Sequence, residues 1–305
     1  MRIVTLLPSA TEIVCAIGLA DKLVGVSHSC DYPPRVRNLP VMTSTRVPHT
    51  ESSDAIDSFV RGHLADNAAL YDLDMQALEA AAPDIIISQA LCDVCAVSTG
   101  DVSAAIDSLP TKPELVDLEP NTLDDVLDDC ARVGRLLGCE RLAEELLDDL
   151  RTRRSAVAER TAKISQDRRP KVAFLEWLMP PFNGGHWNPE LVSLAGGIDL
   201  LGTPGKPSRS LTWDTVAASE PDIFFIACCG FLKDRALEDI RIVLDQKVCR
   251  SIPAVKAGKV FVADGNAYFS RPGPRLLDGL EMMAHAFHPD IHPVSMHGTC
   301  DTVSL

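Results

Sequence analysis

The stretch Ile85-Ile86-Ile87-Ser88-Gln89-Ala90-Leu91-Cys92-Asp93-Val94-Cys95 joins an apolar run to two thiols three positions apart. The β-branched run after Pro83-Asp84 predicts a strand buried on both faces, as in parallel sheets covered by helices. Comparable transitions recur along the chain. His28 and Cys30 follow Leu23 to Val26, Glu176 to Trp187 follow Lys171 to Leu175, and Cys228-Cys229-Gly230 follow Ile223 to Ile226. In open parallel sheets the carboxyl ends of strands face one crevice, where ligands bind. The pattern therefore predicts a single cleft onto which these groups converge.

On the N-terminal side, Ile3 to Leu7 reads as a strand, and Ser9-Ala10-Thr11-Glu12 has the spacing of a capping box at the start of a helix. Leu23 to Val26 completes a βαβ unit. Residues 27–57 read as a long irregular loop, rich in proline and carrying His28, Cys30, Tyr32 and His49. Helices are predicted over 56–70, 75–81 and 102–109, with a strand over 114–118. Glu140 to Ser165 then reads as one charged amphipathic helix of about 37 Å, long enough to run between two domains or to lie along the surface of one. Beyond it, strand and helix alternate again up to Phe287. The fold expected is α/β, with two Rossmann-like lobes joined by a single long backbone helix and a ligand cleft between the lobes. Its boundaries are an N-terminal lobe at 1–139, the linker helix at 140–166, a C-terminal lobe at 167–288 and a polar tail at 289–305.

The chain has 305 residues, 46% of them hydrophobic, and a formal net charge of -14. That balance argues against nucleic acid or an anionic membrane as partner, since both reward basic surfaces. No run approaches the roughly 20 apolar residues of a membrane span. Met1-Arg2-Ile3-Val4-Thr5 enters a strand without the features of an export signal, so a cytoplasmic location is expected, or a periplasmic or extracellular one if the N-terminus was trimmed. In the reducing cytosol the ten cysteines are expected as free thiols.

Cys92-x-x-Cys95 is open to three readings: a zinc half-site, a redox pair or two packed thiols. If His28, Cys30, Cys92 and Cys95 all end strands of one lobe, they form a soft nitrogen and sulfur site for a transition metal such as zinc, or face a bound metal complex. In the second lobe Trp177, Phe182, His186, Trp187 and Phe231 gather near strand ends in a chain with only 5% aromatics. Flat apolar rings suit a large planar macrocycle, although these tryptophans equally suit a core. Cys229, Tyr268 and Arg271 complete the candidates, with Tyr32 from the first lobe. No Ser-His-Asp order, HExxH or paired-carboxylate pattern points to an enzyme.

Several pieces in order, Leu7-Pro8-Ser9-Ala10-Thr11-Glu12-Ile13-Val14, Pro83-Asp84-Ile85-Ile86, Pro221-Asp222-Ile223-Phe224 and Val255-Lys256-Ala257-Gly258-Lys259-Val260-Phe261, resemble the substrate-binding proteins of cobalamin, haem and siderophore transporters. This is the helical-backbone metal receptor superfamily, the class III periplasmic substrate-binding proteins. The likeness covers about residues 1 to 288. His28-Ser29-Cys30-Asp31-Tyr32-Pro33-Pro34, Gly185-His186-Trp187 and Tyr268-Phe269-Ser270-Arg271-Pro272-Gly273-Pro274 resemble more closely its cobalamin-binding subgroup. The resemblance implies a corrinoid, cobalamin or a precursor, clamped between two rigid lobes without catalysis, for uptake, salvage or intracellular carriage. It implies an ABC permease as partner if the protein is exported. The competing readings are a metal or metal-chelate receptor built on the Cys/His cluster, and a thiol-dependent corrinoid-processing or redox enzyme.

Overall fold

A computed structural model describes residues 1–66, 68–89, 97, 99–296 and 298–303, with the side chain of Thr99 excepted. The chain divides into two compact units, Met1–Pro120 with Asp125–Leu147, and Asn121–Asp124 with Asp148–Leu305. Among the described residues, six strands belong to the first: β1 (Ile3–Thr5), β2 (Leu23–Val26), β3 (Thr43–Thr45), β4 (Tyr71–Leu73), β5 (Ile85–Gln89) and β6 (Glu114–Leu118). The isoleucine run forms β5, and all five of its residues are buried. It pairs in parallel with β1 (Ile3 opposite Ile85) and with β6 (Ile87 opposite Val116). The four-stranded sheet has the order β2-β1-β5-β6. Central strands of such a sheet are covered by helices on both faces, which suits the apolar run Ile85–Ile87, while the edge strand β6 alternates.

The second unit carries β7 (Lys171–Leu178), β8 (Pro181–Asn183), β9 (Ile198–Asp199), β10 (Ile223–Ile226), β11 (Val260–Val262) and β12 (Asp301–Val303). Their order is β12-β11-β10-β7-β8, with β9 also on β7. β10 lies on one side of β7 and β8 and β9 on the other, which makes the carboxyl ends of β7 and β10 a topological switch point. Beneath it, Phe225 packs against Phe174, Phe269 and Phe287 at centroid distances of 5.7, 5.3 and 5.9 Å.

The long helix spans Glu140–Thr161, 22 residues and about 33 Å. Ala143, Leu147, Leu150 and Val157 form its buried stripe. It ends before the predicted 166, and a 3₁₀ turn occupies Gln166–Arg168. Its first turns belong to the first unit and the rest to the second, which also takes residues 121–124.

Four expectations are corrected. The capping box does not form: the helix starts at Pro8 with Leu7 as N-cap, and Ser9 is buried with no partner for its hydroxyl. Proline has no N–H to satisfy and its φ is already helical, so it takes the first helical position ahead of the serine. The loop over 27–57 contains β3, which pairs antiparallel with β4, while the helix predicted over 56–70 runs Ser53–Ala65. The segment 289–305 is not merely a polar tail, because His292 is 2% exposed and β12 pairs antiparallel with β11. No helix among the described residues is long and apolar enough to cross a membrane.

Candidate functional site

At the switch point of the second unit, β7 ends in Glu176-Trp177-Leu178. The Trp177 ring lies 4.7 Å from that of Phe231, tilted by 42°, and its indole N–H donates to the Met179 carbonyl at 3.1 Å. Phe231 follows β10 through a turn in which Gly230 takes φ +72°, a conformation that glycine adopts without strain. The turn closes with the Phe231 N–H on the Cys228 carbonyl at 3.1 Å. The Arg235 guanidinium sits 4.8 Å from the centre of the Phe231 ring and pairs with the buried Asp239. An ion-paired guanidinium thus braces the Phe231 ring. The residue after Phe231, Leu232, is 59% exposed.

Cys228 is buried, and burial pushes its thiol well above the ordinary range. Cys229 is half-buried, with its N–H on the Glu176 carbonyl at 2.9 Å. Phe182, on β8, is half-buried and stands opposite Trp177 in the ladder. Tyr268 is half-buried under the Arg275 guanidinium, 4.8 Å from its ring centre. Gly265 lets this segment approach β10, since a Cβ there would lie 2.2 Å from the Cys228 carbonyl oxygen.

His186 has φ +52°, rare for a residue with a side chain. Its ring stacks on Trp187 at 5.6 Å, its Nδ1 is buried without a partner, and burial lowers its pKa. The imidazole is therefore neutral at physiological pH. Of the aromatic pair only Trp177 is half-buried; Phe231 is 5% exposed and belongs to the interior on which Trp177 rests, as do Trp187 and Arg271. Trp187 is 4% exposed with its indole N–H on the Phe269 carbonyl at 2.8 Å, and Arg271 is 5% exposed. Both belong to the interior that supports the face.

In the first unit His28 stacks on Tyr71 at 5.6 Å, and Thr43 Oγ1 lies 2.7 Å from its Nδ1 and 3.0 Å from its backbone nitrogen. Burial and the nearby His49 lower its pKa. Tyr32 is 46% exposed. Cys30 is buried, its sulfur 3.0 Å from Thr11 Oγ1 and 3.1 Å from Ser27 Oγ, and Thr11 lies 2.7 Å from Thr5 Oγ1. The thiol is engaged with interior hydroxyls instead of standing open to a metal. Cys92 and Cys95 lie outside the described residues, and among the described residues no group of three or more His, Cys, Asp or Glu is placed to hold a metal ion.

Leu232, Arg235 and Asp239 are absent from the candidates read off the sequence, and Glu176 enters there only as the first residue of a strand-end segment. The spacing Arg235, Asp239 is a legible signal, since positions four apart share one face of the helix Lys233–Leu244.

A family model described as periplasmic binding protein matches residues 3–267. The chain belongs to this family of periplasmic binding proteins. Among relatives of this periplasmic binding protein is the vitamin B12-binding protein of Vibrio cholerae, 23% identical over 283 residues, which cover 92% of this chain and 87% of the relative. Another is an uncharacterized ABC transporter substrate-binding lipoprotein of Bacillus subtilis, 22% identical over 95% of this chain and 80% of its own length. A periplasmic heme-binding protein from Pseudomonas aeruginosa superposes with a TM-score of 0.76 at 21% identity, over 100% of this chain and 99% of that one. A periplasmic vitamin B12-binding protein structure from Vibrio cholerae gives 0.67 at 21% identity, over 94% and 96%. These findings overturn the cytoplasmic location expected from the N-terminus, because the relatives are periplasmic or lipoprotein substrate-binding proteins.

Proposed function

We propose that this protein captures a tetrapyrrole, a corrinoid such as cobalamin or a precursor in the first place, and delivers it to an ABC-type permease without chemical change. The observation that carries the reading is Trp177, half-buried at the carboxyl end of β7 and packed on the buried Phe231, whose ring Arg235 braces. Apolar faces of this kind bury against a macrocycle, and each ring pair adds about 0.5–1.5 kcal/mol beyond area burial. The vitamin B12-binding relative supports the choice of corrinoid, and the substrate-binding lipoprotein supports the permease.

Haem is the second reading. It is favoured by His186, a half-buried imidazole that burial keeps neutral, and by the heme-binding structural neighbour. In either reading His186, Phe182, Cys229 and Tyr268 are the proposed contacts of the second unit; His28 and Tyr32 are the candidates of the first, taken by itself. The test is gel filtration after incubation with cyanocobalamin or haemin, read by visible absorption alongside elemental analysis. Co-elution of the corrinoid supports the first reading, and haemin alone the second. Retention of neither, with a stoichiometric transition metal in its place, would point to a metal receptor and end both.

A further inference from the structure

The register of β7 against β8 shifts between Leu175 and Trp177, which leaves Glu176 as the extra residue. Bulges of this kind re-aim a side chain and bend the strand. Glu176 Oε2 accepts the Gly185 N–H at 3.0 Å, and the side chains of Ser208 and Asn188 hydrogen-bond to the same carboxyl. Burial raises its pKa against the pull of those three donors.

The segment so held is the one that carries His186. Gly185 has no room for a side chain, since a Cβ there would lie 2.4 Å from the Ser208 nitrogen. The His186 N–H donates to the Lys206 carbonyl at 2.6 Å, and the Gly205 N–H to the His186 carbonyl at 2.9 Å. The Arg209 N–H reaches Asn183 Oδ1 at 3.0 Å. Two strands of loop, 183–188 and 205–209, are thus laced together beside the Glu176 carboxyl. Left-handed backbone at a residue with a side chain persists only where the surroundings over-determine it. His186 is such a residue, and no hydrogen bond holds its Nδ1, so backbone lacing and the Trp187 stack aim the ring.

We propose that Glu176 is a positioning residue, whose carboxyl fixes the Gly185–His186 backbone and thereby presents the imidazole to the ligand. This rests on the reading that His186 faces a bound tetrapyrrole. The test compares Glu176→Ala with Glu176→Gln, whose amide oxygen still accepts the Gly185 N–H. In the ligand-free protein, amide hydrogen exchange at Gly185 and His186 should speed up at least tenfold in Glu176→Ala and stay close to wild type in Glu176→Gln. Affinity for cyanocobalamin or haemin, whichever the wild type retains, should fall about 10- to 100-fold in Glu176→Ala, the range seen when a supporting hydrogen bond to a site residue is removed, and recover in Glu176→Gln. Unchanged exchange in Glu176→Ala overturns the proposal. Should that variant fail to fold, fast exchange at both amides in a folded Glu176→Gln overturns it equally. Accelerated exchange in Glu176→Ala, with no tetrapyrrole retained by the wild type, keeps the backbone role and refutes the ligand reading alone.

Discussion

Asp129→Asn should stabilise the first unit at pH 8 and change little at pH 4. Asp129 lies in the helix Leu123–Leu136, 8% exposed, with no partner for Oδ2. Burial pushes its carboxyl up to about 6 from an ordinary 3.8, with Asp125, Asp128 and Glu119 adding repulsion and Arg132 opposing. A carboxyl raised on folding holds its proton more tightly in the native state. Its contribution is therefore fully present below about 3.8 and is lost as pH rises through about 6. Two pKa units at 1.36 kcal/mol each give an upper bound of about 3 kcal/mol, and screening by nearby water reduces this to about 1–2 kcal/mol. Asparagine cannot ionise, so the variant should recover that amount at pH 8 and only a few tenths, about 0.5 kcal/mol at most, at pH 4. Native-state hydrogen exchange of the helix Leu123–Leu136 at the two pH values isolates the first unit. Equal gains at both, or a loss at pH 8, would refute the argument from burial.

Two further substitutions test the packing behind the aromatic face. Phe225→Ala opens a cavity among Phe174, Phe269 and Phe287 and should cost about 3–5 kcal/mol in urea unfolding; a cost under about 1 kcal/mol would mean that the cluster is loosely packed. Gly265→Ala places a methyl 2.2 Å from the Cys228 carbonyl oxygen, so backbone must shift at the end of β10. It should lower both melting temperature and ligand affinity, and wild-type values for both would contradict the close approach.

Elements of the sheets were legible where the pattern was long and local. The run Ile85–Ile87 and the run Ile223–Ile226 are apolar without alternation, which identifies strands covered on both sides. The β3–β4 ribbon was not legible, because Thr43–Thr45 and Tyr71–Leu73 are short, mixed in character and far apart in sequence. Trp177 and Trp187 look alike in sequence. What separates them is a hydrogen bond from Trp187 to Phe269, a residue 82 positions away, and no local pattern encodes that contact. Arg271 likewise reads as a ligand-binding cation and lies at 5% exposure. His28 and Cys30 are two residues apart, yet the thiol faces Thr11 and Ser27 while the imidazole meets Thr43 and Tyr71. The chemistry of a residue type was readable, and the direction of its side chain was not.

The central claim is that Trp177, seated on the buried Phe231, forms the ligand face of the second unit. Calorimetric titration of wild type and Trp177→Ala with cyanocobalamin tests it most directly. Loss of one stacked indole, with about 1.4 kcal/mol or more of contact, predicts single-site binding weakened at least tenfold in the variant. Identical affinities in a variant that melts like wild type would contradict the account.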